Sequence, residues 1–220
     1  MSESSAVVLN LWKKRLGCVP DYVWERTELK SLILADNDLG EISERIGGLN
    51  NLRMLDLGHN ELTQLPESLG EITGLSDFLY LHDNRLSSLP VSVGQMKRLR
   101  YLNISENSFS TFPESVCGLT GLIELRMTDN LIATLPDCIA NLSQLRELHL
   151  RNNKLTTLPG SIGMLSELRQ LDLRGNPLTS LPAAIAEMPK LEKLDLRWVS
   201  SLILPPWVYE IEMRGCVVYR

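Results

Sequence analysis

Asparagine recurs along the chain at Asn37, Asn60, Asn84, Asn107, Asn130, Asn153 and Asn176, at intervals of 23, 24, 23, 23, 23 and 23 residues. A period of that length means one supersecondary unit stacked on copies of itself, which limits the architecture before any element is assigned. The stretch LRMLDLGHNELTQLPESLGEITG, Leu52 to Gly74, shows the frame. Leucine-like residues hold positions 1, 4, 6, 11, 14, 18 and 21, Asn holds position 9, and Pro usually holds position 15. Leucine supplies 43 of the 220 residues and aromatics only 5%, as expected if one small packing solution is used many times.

Each position has a physical reading. Leu55 and Leu57 flank Asp56 with strand period and point inward. Leu62 and Leu65 fill the middle of the coil. Pro66 ends the extended stretch and suits the start of a short convex helix, followed by Glu67 and Ser68. Leu69 and Ile72, three apart, turn one apolar stripe inward, and Gly70 lets that helix lie close to its neighbour. A buried Asn must be satisfied, so the Asn column is expected to form a ladder to backbone groups of adjacent coils. The frame extends upstream as a degenerate unit from Ala6, with Lys14 at the Asn position. Downstream it continues from Leu191 with Val199 there, and a last fragment sets Val217 and Tyr219 at positions 4 and 6. All four tryptophans, Trp12, Trp24, Trp198 and Trp207, fall in these terminal units and are expected to cover the ends of the core. The coil starting at Leu75 carries one extra residue, which should bulge its strand and re-aim Asp77 or Phe78.

The pattern LxxLxLxxNxLxxLPxxIGxLxx resembles the leucine-rich repeat family, and the match covers nearly the whole chain. Its LPxxIG variant is similar to intracellular repeat proteins of the Ras-suppressor type, to plant Ras-group proteins and to short stand-alone bacterial forms. The resemblance implies an α/β solenoid: a curved horseshoe with a parallel concave sheet and short convex helices. Residues 1–28 are expected to form a degenerate N-terminal capping repeat and 29–190 seven full repeats. Residues 191–220 would form a C-terminal capping repeat and final strand, all within one continuous domain, 1–220.

Composition narrows the partners. Net charge is −5, which disfavours nucleic acid, since such binders need a basic face to displace counterions. No apolar run reaches the roughly 18 residues of a membrane span, so no membrane partner is expected. The start, MSESSAVVLNLW, lacks the basic and apolar regions of a secretory signal. Cys18, Cys117, Cys138 and Cys216 form no CxxC pair and are read as reduced thiols, consistent with a cytoplasmic protein.

Strand positions 3, 5, 7, 8 and 10 face solvent on the concave side. Met54, His59, Phe78, Tyr80, His82 and Tyr101 cluster there as an aromatic patch that the core does not need, and exposed aromatics anchor protein interfaces. Asp36, Asp83, Glu106 and Asp129 make an acidic edge beside it. Toward the other end Arg151, Arg174 and Arg197 stack in one column, with Arg126 and His149 close by and Trp198 adjoining. Either Glu124, Glu147, Asp172 and Asp195 relieve the repulsion in this column, or the column docks an acidic segment. Phe78, Tyr80, His82 and Tyr101 are expected as anchors of a bound protein, and Arg151, Arg174 and Arg197 as its electrostatic clamp.

Sharper chemistry is weak. His59 and His82 near Asp56 and Asp83 lack the second shell of a metal site, and Ser105 beside His82 lacks an oxyanion loop or closed pocket. No phosphate loop is present. No cofactor and no metal are expected. The chain reads as a monomeric, non-catalytic protein-interaction module, a signalling scaffold gripping a protein on its concave face. The resemblance implies a small GTPase or signalling protein as partner class. The rival reading is a bacterial effector or toxin-associated protein delivered to another cell by a non-classical route, with the serine-rich start as export signal. A hydrolase or metal-dependent enzyme using the concave histidines is a distant third.

Overall fold

The computed structural model describes residues 7–220; Ala6 and the serine-rich start lie outside the described residues. Ten three-residue strands form one sheet: β1 (Val8–Asn10), β2 (Ser31–Ile33), β3 (Met54–Asp56), β4 (Phe78–Tyr80), β5 (Tyr101–Asn103), β6 (Glu124–Arg126), β7 (Glu147–His149), β8 (Gln170–Asp172), β9 (Lys193–Asp195) and β10 (Val217–Tyr219). They are parallel and lie in chain order. This is the leucine-rich repeat solenoid, with the strands on its concave side. The ladder reaches past the strands, because position-8 amides donate to the position-7 carbonyl of the next coil, as His59 N–H does to His82 O (2.9 Å).

Opposite the sheet run short 3-10 turns, from Asp21–Glu25 to Ala183–Glu187. Pro66 precedes one of them in extended conformation (φ −69, ψ 148), and its carbonyl accepts from Leu69 N–H (3.1 Å). The frame's glutamates tie neighbouring turns together: Glu67 accepts from the Val91 and Ser92 amides of the next coil (3.3 and 3.1 Å). Gly70 is required by contact, since a Cβ there would lie 2.3 Å from the Ser92 backbone carbon. Between sheet and turns runs one continuous leucine core in which Leu55, Leu57, Leu62 and Leu69 are fully buried.

The asparagine ladder forms as expected. The Asn60 side-chain amide donates to Leu34, Leu57 and Gly58 carbonyls, and its Oδ1 accepts from Asn37 and Leu39 N–H. Each such side chain satisfies buried backbone groups of its own coil and the one before.

Several details depart from expectation. Cys117 and Cys138 are not free thiols; they form a disulfide joining adjacent convex turns, with Cα atoms 5.7 Å apart. Positions 19 and 17 of neighbouring coils face each other there, which the absence of regular cysteine spacing concealed. Cys18 and Cys216 remain free. The extra residue near Leu75 leaves β4 in register, Phe78 opposite Met54 and Tyr101. It is absorbed just ahead of the strand. Elsewhere two successive amides share one carbonyl, as Arg53 and Met54 share Lys30 O, whereas Arg100 bonds Ser76 O and Tyr101 bonds Asp77 O. Phe78 is therefore not re-aimed.

At the C-terminus, Val218 rather than Val217 sits opposite inward Leu194. That one-residue slip turns Val217 and Tyr219 outward, since strand side chains alternate. Helix α1 (Trp207–Met213) closes this end through buried Val208 and Ile211. Trp24 is buried and Trp207 packs on the core, but Trp12 and Trp198 are 54% and 69% exposed and are not among the side chains packed on it. Among the described residues no helix is long and apolar enough to cross a membrane.

Candidate functional site

The strand frame places one outward side chain at positions 3 and 5 of every coil, and in β3 to β5 these are Met54 and Asp56, Phe78 and Tyr80, and Tyr101 and Asn103. Phe78 and Tyr80, two residues apart on β4, stack with centroids 5.9 Å apart and nearly parallel planes. Tyr101 on β5 tilts against both, at 5.5 and 5.1 Å. Tyr80 meets His82 edge-on at 6.1 Å, and His82 meets His59 at 4.7 Å. Met54 extends the patch along β3, its sulfur accepting from Ser31 Oγ. All six predicted patch residues thus lie together. Burial pushes the Tyr101 phenol up to about 12 and raises that of Tyr80, so both rings stay neutral hydrogen-bonding aromatics.

Gly58 explains how His82 lies flat: a Cβ there would come within 2.5 Å of the imidazole. His59 Nδ1 lies 2.6 Å from Asp83 Oδ2, and His59 Nε2 lies 3.2 Å from His82 Nε2, so the two imidazoles and the carboxylate form one hydrogen-bonded chain. His82 Nδ1 is buried over Gly58 without a hydrogen-bond partner. Burial, reinforced by His59, lowers the His82 pKa, so this imidazole is held neutral.

Position 8 carries a constraint the sequence reading missed. Lys13, Asp36, His59, Asp83, Glu106, Asp129, Asn152, Gly175 and Trp198 all have left-handed φ, between 51° and 65°. The chain leaves the strand here and turns so that the next Asn enters the core. Asn152 and Gly175 in the same column were the signal for it. Not every outward position is exposed, either. Ala35, Ser105, Asp172 and Asp195 are buried.

The arginine column is neutralised from within. Arg151 pairs with Asp129 (2.8 Å), Arg197 with Asp195 (2.7 Å) and Arg174 with Asp172 (2.5 Å). Burial alone would raise the Asp172 pKa, but hydrogen bonds from Arg174 and His149 hold it far below the usual carboxylate range. Arg126 pairs with Glu124 (2.5 Å), and Arg197 also lies over the rings of Trp198 and Tyr219. Flanking carboxylates thus meet every arginine of the column.

Glu124, Glu147 and His149 bring three metal-capable atoms within 4.8 Å of one another, and are bonded instead to Arg126 and among themselves. Ser105 Oγ accepts from Thr128 N–H, and His82 is turned to His59, so these side chains do not form a nucleophile–base pair.

Among the depressions of this face, a small one of about 150 Å³ lies among the paired charges of Arg126, His149, Asp172, Arg174 and Asp195, and two border the aromatic patch. One, about 260 Å³, is walled by Asp77, Phe78, Arg100, Tyr101, Ile123 and Glu124. Ile123 was its sequence signal, an apolar residue at position 2, where its neighbours carry Asp77, Arg100, Arg146 and Arg169. The other, about 400 Å³, is acidic and gathers Trp12, Asp36, Asp38, His59, Glu61 and Asp83.

Comparison with known proteins agrees with this architecture. Leucine-rich repeat profiles match residues 27–70, 77–132, 124–178 and 143–198. No curated protein matches by sequence. Among solved structures, a leucine-rich repeat protein of Leptospira interrogans is similar at 27% identity and TM-score 0.73, over 92% of this chain and 63% of that one. The ectodomain of the Arabidopsis thaliana receptor kinase GASSHO1/SCHENGEN3, solved in complex with Casparian strip integrity factor 2, is similar at 30% identity and TM-score 0.78. That match covers 91% of this chain and 25% of the receptor. The repeat domain of the type III effector XopL superposes at TM-score 0.84 over 98% of this chain and 78% of its own length, at 24% identity, a likeness of fold. The chain spans less than two thirds of the length of the Leptospira and Arabidopsis proteins.

Proposed function

The chain belongs to the leucine-rich repeat family, and on that premise we propose that it is a non-catalytic binding module that holds a protein partner on its concave sheet. One observation carries the reading. Phe78, Tyr80 and Tyr101 form a contiguous ring cluster on the open face, where the core makes no use of them. Outward aromatics of this kind lose water on binding and supply most of an interface's energy. The leucine-rich repeat ectodomain of GASSHO1/SCHENGEN3, solved in complex with Casparian strip integrity factor 2, supports the reading by analogy. The arginine column holds the sheet's own carboxylates and plays no part in it. Capture of partners from native lysate by wild type and by a Phe78→Ala/Tyr80→Ala variant tests the proposal. Loss of specific captured proteins in the variant is expected. Identical capture by both would remove the concave face from consideration.

A further inference from the structure

The charges around the aromatic cluster do not balance. On this face Lys13, Arg126, Arg151, Arg174 and Arg197 each already meet a carboxylate. Two carboxylates beside the rings have no such partner. Asp56, opposite Tyr80 in the β3–β4 register, accepts only the amide of its own coil's Gly58 (3.0 Å). Glu106 stands exposed at the left-handed position of the β5 coil. Among the described residues neither lies within ion-pair distance of a Lys, Arg or His. His82, between them, contributes no charge, because burial holds it neutral. On the side of Asp56 and Glu106 the stacked rings are therefore bordered by uncompensated negative charge, and Arg100 borders them at the depression beside Phe78.

Resting on the binding role above, we propose that this patch selects a basic, extended segment of its partner, with a Lys or Arg side chain laid over Tyr80 and its cation between Asp56 and Glu106. An ammonium or guanidinium group is attracted to a ring face and to a carboxylate at once, and the two attractions reinforce where water is thin. An acidic segment laid over Tyr80 would meet Asp56, Glu106 and Asp83, while the cations of this face without a carboxylate partner lie elsewhere, Arg100 lining the depression beside Phe78 and Lys193 over the Tyr219 ring. The 260 Å³ depression beside Phe78 and Ile123 takes an apolar side chain of the same segment.

Selection of a displayed library of random nonapeptides on the immobilised protein tests this. Selections are run in parallel on Tyr80→Leu, on Asp56→Asn/Glu106→Gln, and on a convex-face control, Glu114→Gln. The amide variants keep the acceptor for Gly58 N–H, and unchanged circular dichroism and melting show that each variant is folded. Expected are peptides rich in Lys and Arg, bound about tenfold more weakly by Tyr80→Leu and by Asp56→Asn/Glu106→Gln, and unaffected by Glu114→Gln. Enrichment of acidic or neutral peptides that still depend on Tyr80 would overturn the basic-segment inference while leaving concave binding intact. Peptides indifferent to Tyr80, or no enrichment at all, would overturn it and count against the concave face itself. An equal loss in Glu114→Gln would reduce the preference to net charge and overturn it too.

Discussion

Arg174 lies bidentate on Asp172, Nε to Oδ1 at 2.8 Å and Nη2 to Oδ2 at 2.5 Å, and its Nε also faces Asp195 at 3.5 Å. With Arg197 on Asp195 this makes a zipper of alternating charge running up the C-terminal coils. Arg174→Ala strands a buried carboxylate and is expected to cost about 2–4 kcal/mol in urea unfolding. The Arg174→Ala/Asp172→Ala pair should cost less than the sum of the single changes.

The same pair sets an acid limit. Asp172 has a lowered pKa, so its contribution is fully present above the unfolded carboxylate value of about 3.9 and is lost as pH falls below that. Urea midpoints should therefore drop more steeply between about pH 4 and 2.5 for wild type than for Asp172→Asn.

His82 acts in a neighbouring window. Its folded pKa is lowered, so the unfolded chain protonates first and stability declines as pH drops below about 6.5. Ring-resolved NMR titration should show His82 protonating at lower pH than an ordinary histidine. Gly58→Ala, which displaces the imidazole, should move that titration back toward the ordinary value.

Position 8 stores removable strain. Glu106 has φ 55, a conformation that costs a side-chain-bearing residue about 1 kcal/mol and that Asn tolerates better. Glu106→Asn should raise stability by about 0.5–1 kcal/mol. Gly70→Ala, with no room beside Ser92, should lower it by about 1–3 kcal/mol.

The Cys117–Cys138 bond spans 21 residues. Alkylation of the unfolded, non-reduced chain should label Cys18 and Cys216 only. Reduction should lower stability by about 3 kcal/mol, the chain-entropy value for a loop of that length. Four labelled cysteines without reductant would show the pair to be open.

What was legible from residues alone follows from repetition. Leu55, Leu57 and Asn60 meet nearly the same neighbours in every full coil, so one local solution, once recognised, propagated along the chain. The parallel sheet, the inward leucines, the Asn ladder, the tight approach at Gly70 and the aromatic patch were readable on that basis. Even the Asp-Leu-Arg runs at 172–174 and 195–197 set opposite charges on one strand face. Tertiary structure decided matters where the period breaks or where two coils compete for a contact. It set which carboxylate each arginine holds and which cysteines face across a coil boundary. It determined where the extra residue near Ser76 is absorbed, and which of Val217 and Val218 turns inward in β10. Such outcomes depend on contacts between units, and a repeat frame specifies contacts within the unit far more strongly than those at its exceptions.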